Sequence, residues 1–289
     1  MNAKSILFIN KKGRNHVQHR TLGTINKFIQ IIQSIEDFWT RRMGNMEVHF
    51  TEKPTLKNPT LIAAWPGMGM LAIMSADYLV QKLDAKQFAE IRNPSNDIYF
   101  KEGTGKLSQY THRFYYSKGK QGDLIICGGE IQPQSLSEIH ELANQVLDVA
   151  KELGAKRVYT VAALANPHDV KPRVFGVVNK PELIEFLKEN SVQLAEGDGR
   201  ITGLNGLLIG IAEQKQMEGI CLLCEIRYLD IPQPRSVQSV LSTLTRLLGI
   251  EIDMSEMEQQ AEEMEQKLEQ IREQRTPEAG KPKEPRYIS

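Results

Sequence analysis

A three-layer α/β/α sandwich with a mostly parallel sheet is the fold class this sequence predicts. Three observations lead to it. Four short, continuous apolar runs, Leu61–Trp65, Asp123–Cys127, Arg157–Leu164 and Ile220–Ile226, read as strands buried on both faces. Segments of helical period alternate with them, which is the pattern of strands joined by crossover helices. The length, 289 residues with 40% hydrophobic and 25% charged, suits one large domain with a core of its own.

The elements follow in order. Leu61–Trp65 is punctuated by Pro66-Gly67-Met68-Gly69, and a helix with Leu71, Met74, Tyr78 and Leu79 on one face runs on to about Leu83. Phe100 and His112–Tyr116 alternate less regularly and are expected in edge or antiparallel strands. After Asp123–Cys127, Ser135 and Glu138 form a capping box, because a hydroxyl and a carboxylate three apart satisfy each other's orphan amides. The helix behind them carries Ile139, Leu142, Ala143, Val146, Leu147, Ala150 and Leu153 on one stripe and stops at Gly154. Leu183–Glu189 is a short helix behind Pro181, Gly206–Gln216 follows a glycine-rich turn, and Ser236–Leu248 buries Val237, Val240, Leu241 and Leu244.

The ends differ from this middle. Residues 1–45 hold eight Lys/Arg and two acids, match no core period, and are expected to be a flexible basic extension, with an RNA-binding or targeting arm as the alternative. The core is expected over 46–250. Beyond it, Leu247, Ile250, Met254, Met257, Ala261, Met264, Leu268 and Ile271 keep a three-four spacing, so 251–275 reads as a heptad helix. A narrow stripe favours a helical partner over a sheet. Met257, Ala261, Met264, Leu268 and Ile271 are therefore expected at an interface between subunits, unless the helix lies across its own core. Residues 276–289, with Pro277, Pro282 and Pro285, are expected to be a disordered tail.

Charge excludes some functions. Thirty-six Lys+Arg balance 36 Asp+Glu, which argues against nucleic-acid or membrane-surface binding, since both need a basic field. No run approaches the roughly 18 apolar residues of a membrane span. Three cysteines make no disulfide scaffold, so a reducing cytoplasm is expected.

Gly67, Gly69 and Ala72 match a dinucleotide fingerprint, where backbone amides would meet a pyrophosphate at a helix start. The alternative is a strand-to-helix turn whose glycines allow close packing. Pro66 removes one amide, and the downstream acid, Glu90, lies in no clear strand. Gly197, Gly199, Gly203 and Gly206 crowd ten residues before a helix, with Asn205 placed as its N-cap or the turn forming an anion nest. Glu130, Glu225 and Arg227 lie near strand ends, where ligands gather in open α/β sheets. Gly67, Gly69, Glu130, Gly203, Asn205 and Gly206 are the candidate ligand-binding residues. Cys221 and Cys224 would point to opposite faces of a strand and are expected to be structural. His168-Asp169 is the best acid–base pair, more simply a solvated loop. No catalytic set, metal site or cofactor is expected.

Longer segments are more specific. LIAAWPGMG at Leu61–Gly69, GGEIQP at Gly128–Pro133 and KPRVFGVVNKPEL at Lys171–Leu183 come in order. GRITGLNGLL at Gly199–Leu208, CLLCEIRYLDIPQPRSVQSVL at Cys221–Leu241 and LGIEIDMSEME at Leu248–Glu258 follow. With these pieces the chain from about Thr60 to Gln270 resembles the second proteasome-assembly-chaperone family, archaeal and bacterial branch. The resemblance implies a phosphorylase/hydrolase-like α/β/α sandwich, a homo-oligomer (trimer or larger), and proteasome-related or other protein clients. Proteasome-docking tails end in a hydrophobic residue, then Tyr, then any residue; here Arg286-Tyr287-Ile288-Ser289 places Tyr one position early. Some relatives are labelled ATP-grasp or carboxylate–amine ligases, but no lysine-bearing glycine loop with a downstream acidic metal pair accompanies that label here. The expected function is an oligomeric, chaperone-like protein-binding module. The alternative is a nucleotide- or carboxylate-binding enzyme using the turns at Gly67 and Gly203.

Overall fold

The apolar runs form the centre of one sheet. The computed structural model describes residues 46–166 and 171–275. The extension 1–45, the His168-Asp169 pair and the tail 276–289 lie outside the described residues. The strands are β1 (Glu47–Phe50), β2 (Thr60–Ala64), β3 (Lys86–Lys101), β4 (Thr104–Ser117), β5 (Leu124–Gly129), β6 (Arg157–Ala165), β7 (Val174–Val178), β8 (Gln193–Leu194) and β9 (Glu218–Ile226). Their order is β1-β3-β4-β5-β2-β6-β9-β7-β8. β5, β2, β6 and β9 are parallel neighbours. β1, β3 and β4 join one side antiparallel, and β7 joins the other.

His112–Tyr116 is antiparallel as expected but interior, because β4 lies between β3 and β5. Glu90 lies on β3. β7 was not expected as a strand: Gly176 interrupts a short Val-Phe-Gly-Val-Val run whose pattern is weak.

Helices cover both faces. On one face α2 (Leu136–Glu152) and α4 (Gly203–Gln214) bury Leu142, Val146, Leu204 and Leu208 against Leu61, Ile125 and Val158. On the other, α1 (Leu71–Lys82), α3 (Leu183–Glu189) and α5 (Pro234–Leu248) enclose Ile62, Ile126, Tyr159 and Leu222. Fully burying each such side chain contributes about 1.5–3 kcal/mol. Ser135 Oγ accepts from the Glu138 amide at 3.2 Å, which is one half of the expected box. Gly249 ends α5 at φ 63°, and the amides of Gly249 and Ile250 return to Arg246 and Thr245, a Schellman closure open to glycine at low cost.

The last helix, α6 (Ser255–Arg275), lies on the α5 layer. Lys82 pairs with Glu256 at its start, and Arg235 holds Glu258 and Glu265 further along. Met257 and Ala261 are 2% and 0% exposed within the single chain. These two are thus core residues rather than subunit-interface residues. Met264, Leu268 and Ile271 alone of the expected five keep exposed surface.

Candidate functional site

β2 lies between β5 and β6, so the chain leaves it to both sides and the strand order switches there. In open α/β sheets the crevice beyond the strand C-termini at such a point takes ligands. A cleft of about 800 Å³ opens at this place. Ala162, Leu164, Phe175 and Leu223 supply apolar walls; the turns carrying Gly67 and Gly203 close one side.

One side chain joins those turns. Gln132, in the loop after β5, donates Nε2–H to Pro66 O at 2.6 Å and accepts from the Leu204 amide at 2.8 Å. Gly203 adopts φ +78°, and a Cβ there would come within 2.8 Å of Gln132 Oε1. The glycine is required both by its backbone angle and by this approach.

The six candidate residues separate. Gly67, Gly203 and Asn205 line the cleft. Asn205 is not the N-cap of α4, which is Thr202. It lies buried within the helix, accepting from the Trp65 amide at 3.1 Å and donating to Trp65 O at 3.3 Å. Gly206 is packing: a Cβ would meet Ile201 O at 2.5 Å. Glu130 faces away, pairing with Arg113 at 3.1 Å in a separate small pocket beside α1.

Gly69 departs most from the dinucleotide reading. Its amide donates to Leu229 O at 2.7 Å, Met70's returns to Gly67 O, and Leu71's to Met68 O. Three successive amides are therefore engaged within the protein. The turn packs on Gln233 and Ile226, where a Cβ on Gly69 would come within 2.8 Å of Gln233 Cγ. Close packing is the reason for this glycine.

Two buried polar units support the edge. Glu225, at the end of β9, accepts from Arg173 Nη2 at 2.6 Å, from the Arg173 amide at 3.0 Å, and from Asn166 Nδ2. The Arg173 guanidinium foremost, then these donors, outweigh burial and hold the Glu225 carboxyl down to about 2. Arg173 also stacks over Phe175 at 5.2 Å. Elsewhere, Trp65 Nε1–H donates to His112 Nδ1 at 3.0 Å, so the neutral ring carries its proton on Nε2. That Nε2 is buried without a partner. Burial, then the Arg113 charge, lower the His112 pKa to about 4.

Cys221 and Cys224 are free and buried, with burial pushing the thiols up to about 11 and 12. Such thiols are poor thiolates.

Sequence reasoning missed how exposed apolar side chains gather. Met68, Met70, Leu136, Leu164 and Leu229 stand at the C-terminal ends of β2, β5, β6 and β9, or just beyond them. Ile98, Tyr99, Phe100 and Leu107 stand on the β3–β4 ribbon, which passes the same edge because β5 pairs with β4 only over His112–Ser117. Among the described residues, nine of eleven exposed large apolar side chains thus belong to this one edge. No spacing rule reveals this, because it depends on strand order.

The fold and its open edge define an α/β sandwich with an apolar-walled cleft at its switch point, ringed by exposed apolar side chains. The chain belongs to the PAC2 family, whose model matches residues 61–272. A relative among curated proteins, an uncharacterized protein of Methanocaldococcus jannaschii, is 29% identical over 221 residues, covering 75% of this chain and 84% of its own. PbaB of Pyrococcus furiosus, an archaeal proteasome activator, superposes with a TM-score of 0.71 at 30% identity, over 78% of this chain and 98% of that one. PbaA of the same organism, an archaeal homolog of proteasome-assembly chaperone, shares the fold with a TM-score of 0.62 at 24% identity, over 79% and 97%. The ATP-grasp label gains no support from these comparisons. Among the described residues no helix is long and apolar enough to cross a membrane.

Proposed function

We propose that this chain is an oligomeric protein-binding module of the proteasome-assembly or proteasome-activator kind, acting in the cytoplasm. The observation that carries the reading is the concentration of Met68, Met70, Leu136, Leu164 and Leu229 around one sheet edge. Clustered apolar exposure is the mark of a protein-binding surface, and two methionines give it an adaptable side. Membership of the PAC2 family and the likeness to PbaB, an archaeal proteasome activator, support a proteasome-related partner. The domain plan proposed with it is a core over 46–250, the helix 251–275, and the appendages 1–45 and 276–289.

The test is binding of the purified protein to proteasome core particles and to their isolated α-type subunits, by co-sedimentation. Met68→Asp with Leu164→Asp should abolish binding while circular dichroism stays unchanged. Undiminished binding by that variant, or none by the wild type, would overturn the proposal.

The second reading, a nucleotide or carboxylate site, is favoured by the cleft between the two glycine turns. Because the Gly69 turn has its amides engaged, the 197–203 turn and Arg200 would have to hold such a ligand.

A further inference from the structure

A second opening lies between α5, the segment that leads into β7, and the turn between α3 and β8. It holds about 360 Å³, and no Asp or Glu lines it among the described residues. Lys171, Arg173 and Arg246 stand around it, and α5 contributes Ser239, Ser242 and Thr243. Arg173 lines the cleft as well, so the two openings are neighbours.

The three cations are unequally committed. Arg173 is neutralised, because its Nε and Nη2 bond the Glu225 carboxylate. Arg246 has no acidic partner among the described residues. Its Nε donates to Asn190 O at 3.1 Å, which anchors the guanidinium at the rim. Lys171 makes no ion pair among the described residues. The acid that its charge reaches, Glu258, is already held by Arg235 and Gln238. Two cations thus stand at this pocket without a counter-charge of their own.

Ser239 is an independent observation. Three hydroxyl side chains of α5 are buried, Ser236, Ser239 and Thr243. Ser236 donates to Glu225 O at 2.8 Å. Thr243 donates to Ser239 O at 3.0 Å, the usual return to the carbonyl four residues back. Ser239 is 7% exposed, yet its Oγ has no partner. A buried hydroxyl left unpaired is destabilising, and folded chains keep few of them. This one lies at the floor of a pocket whose rim carries Lys171 and Arg246.

These groups suit one ligand chemistry. A guanidinium, an ammonium and a hydroxyl reach the pocket from different segments, so their donors converge from separate directions. An oxyanion with three free oxygens can accept from all of them. A planar carboxylate has two oxygens, and each phosphate of a dinucleotide has two free ones. Liquid water takes about 30 Å³ per molecule, so the volume admits a phosphate together with part of a molecule that bears it.

We propose that this pocket binds a terminal phosphate, free or carried on an organic group. Lys171 and Arg246 supply the charge and Ser239 a hydrogen bond at the floor. The site goes beyond the protein-binding reading and does not depend on it.

The test is titration calorimetry of the full-length protein with inorganic phosphate and with O-phosphoserine, at an ionic strength held constant with chloride. Saturable binding at one site per chain is expected. Arg246→Gln should weaken it by about tenfold or more, because a charge-assisted hydrogen bond is lost. Ser239→Ala should also weaken it, while its melting temperature without phosphate does not fall, since the hydroxyl it removes has no partner. A structural role alone would not give that split. Should Arg246→Gln misfold, Lys171→Gln on the exposed rim is the second charge variant, with the same direction of effect. Tighter binding of O-phosphoserine assigns a phosphate carried on an organic group; binding of inorganic phosphate as tight or tighter assigns the free ion. Acetate bound as tightly as phosphate would overturn the choice of ligand. The site itself would be overturned by no saturable binding of either phosphate probe, or by affinities unchanged in both the charge and the serine variants.

Discussion

Asn205 and Trp65, 140 residues apart in the chain, exchange two hydrogen bonds: the Asn205 amide accepts from the Trp65 backbone N–H and donates to its carbonyl. β2 has ended at Ala64, so no neighbouring strand takes up those two groups. A side chain on α4 replaces the missing strand and fixes the start of the Pro66–Met70 turn.

Asn205→Leu should therefore cost stability out of proportion to its size. Two buried backbone groups would lose their partners, at about 1–3 kcal/mol each. Urea unfolding should show a fall of several kcal/mol, with Asn205→Asp intermediate because it can accept but not donate. A loss under 1 kcal/mol for the leucine variant would contradict the role.

Two acid-side limbs of stability should separate by pH. The His112 pKa is lowered from 6.5 to about 4, so below pH 6.5 the unfolded chain takes up a proton that the folded one refuses. Stability then falls as the pH drops from about 6.5 to 4, and His112→Gln should flatten that limb while still accepting from Trp65. Glu225 is lowered from 4.5 to about 2, so its contribution is present above pH 4.5 and is lost as the pH falls toward 2. Glu225→Gln should flatten only this lower limb. Urea midpoints measured from pH 8 to 2 check both.

Dinucleotides should not raise the melting temperature. A ligand at 100 times its Kd stabilises by about 2.7 kcal/mol, and the Gly69, Met70 and Leu71 amides are already bonded within the protein. A clear shift with NAD or FAD would show that the turn opens, or, if the shift is weaker in Arg200→Ala, that the 197–203 turn holds the nucleotide.

Replacing Cys221 with Ala and Cys224 with Val should leave metal content unchanged, because the strand directs the two sulfurs to opposite faces. Zinc bound stoichiometrically by the wild type and lost in the variant would refute this.

A chain starting at Met46 should melt within a few degrees of the full chain. Met46 already ends the described core: its amide donates to Glu141 at 3.2 Å, and its carbonyl accepts from Gln145. A new ammonium at Met46 would keep its carboxylate partner. A much larger drop would show that residues 1–45 are docked.

The parallel centre was legible because residues buried on both faces leave an unbroken apolar run, as in Ile62 and Ile126. Helix α3 was legible to the residue, since Pro181 and the turn at Asn190 bracket it. The antiparallel arms were harder. β7 is interrupted by Gly176, and β3 mixes Glu90 and Arg92 with Ala89 and Ile91, so neither shows a clean period. At the site, Gly67 and Gly203 stood out as turn residues, but their coupling did not, because Gln132 lies in a third segment. Asn205 was visible as a helix-start residue; its actual partner is defined only by tertiary structure. The α6 stripe was read as a whole, whereas the fold divides it after Ala261: Met257 and Ala261 are buried within the chain, and Met264, Leu268 and Ile271 keep exposed surface.

The strand order also constrains how this chain reaches its fold. Thr60, on the central strand, pairs with Leu124 on one side and Arg157 on the other, both far along the chain. The β3–β4 ribbon, by contrast, closes through the two-residue turn Glu102-Gly103. Local pairings form on microsecond timescales, and distant ones must first overcome loop-closure entropy. On a ribosome the ribbon is complete long before β6 emerges, so LIAAW must wait beside it with both edges open. The central strand is thus secured on both sides only after β6 has been made, and its exposure until then is an interval of synthesis in which the chain is itself in need of a chaperone.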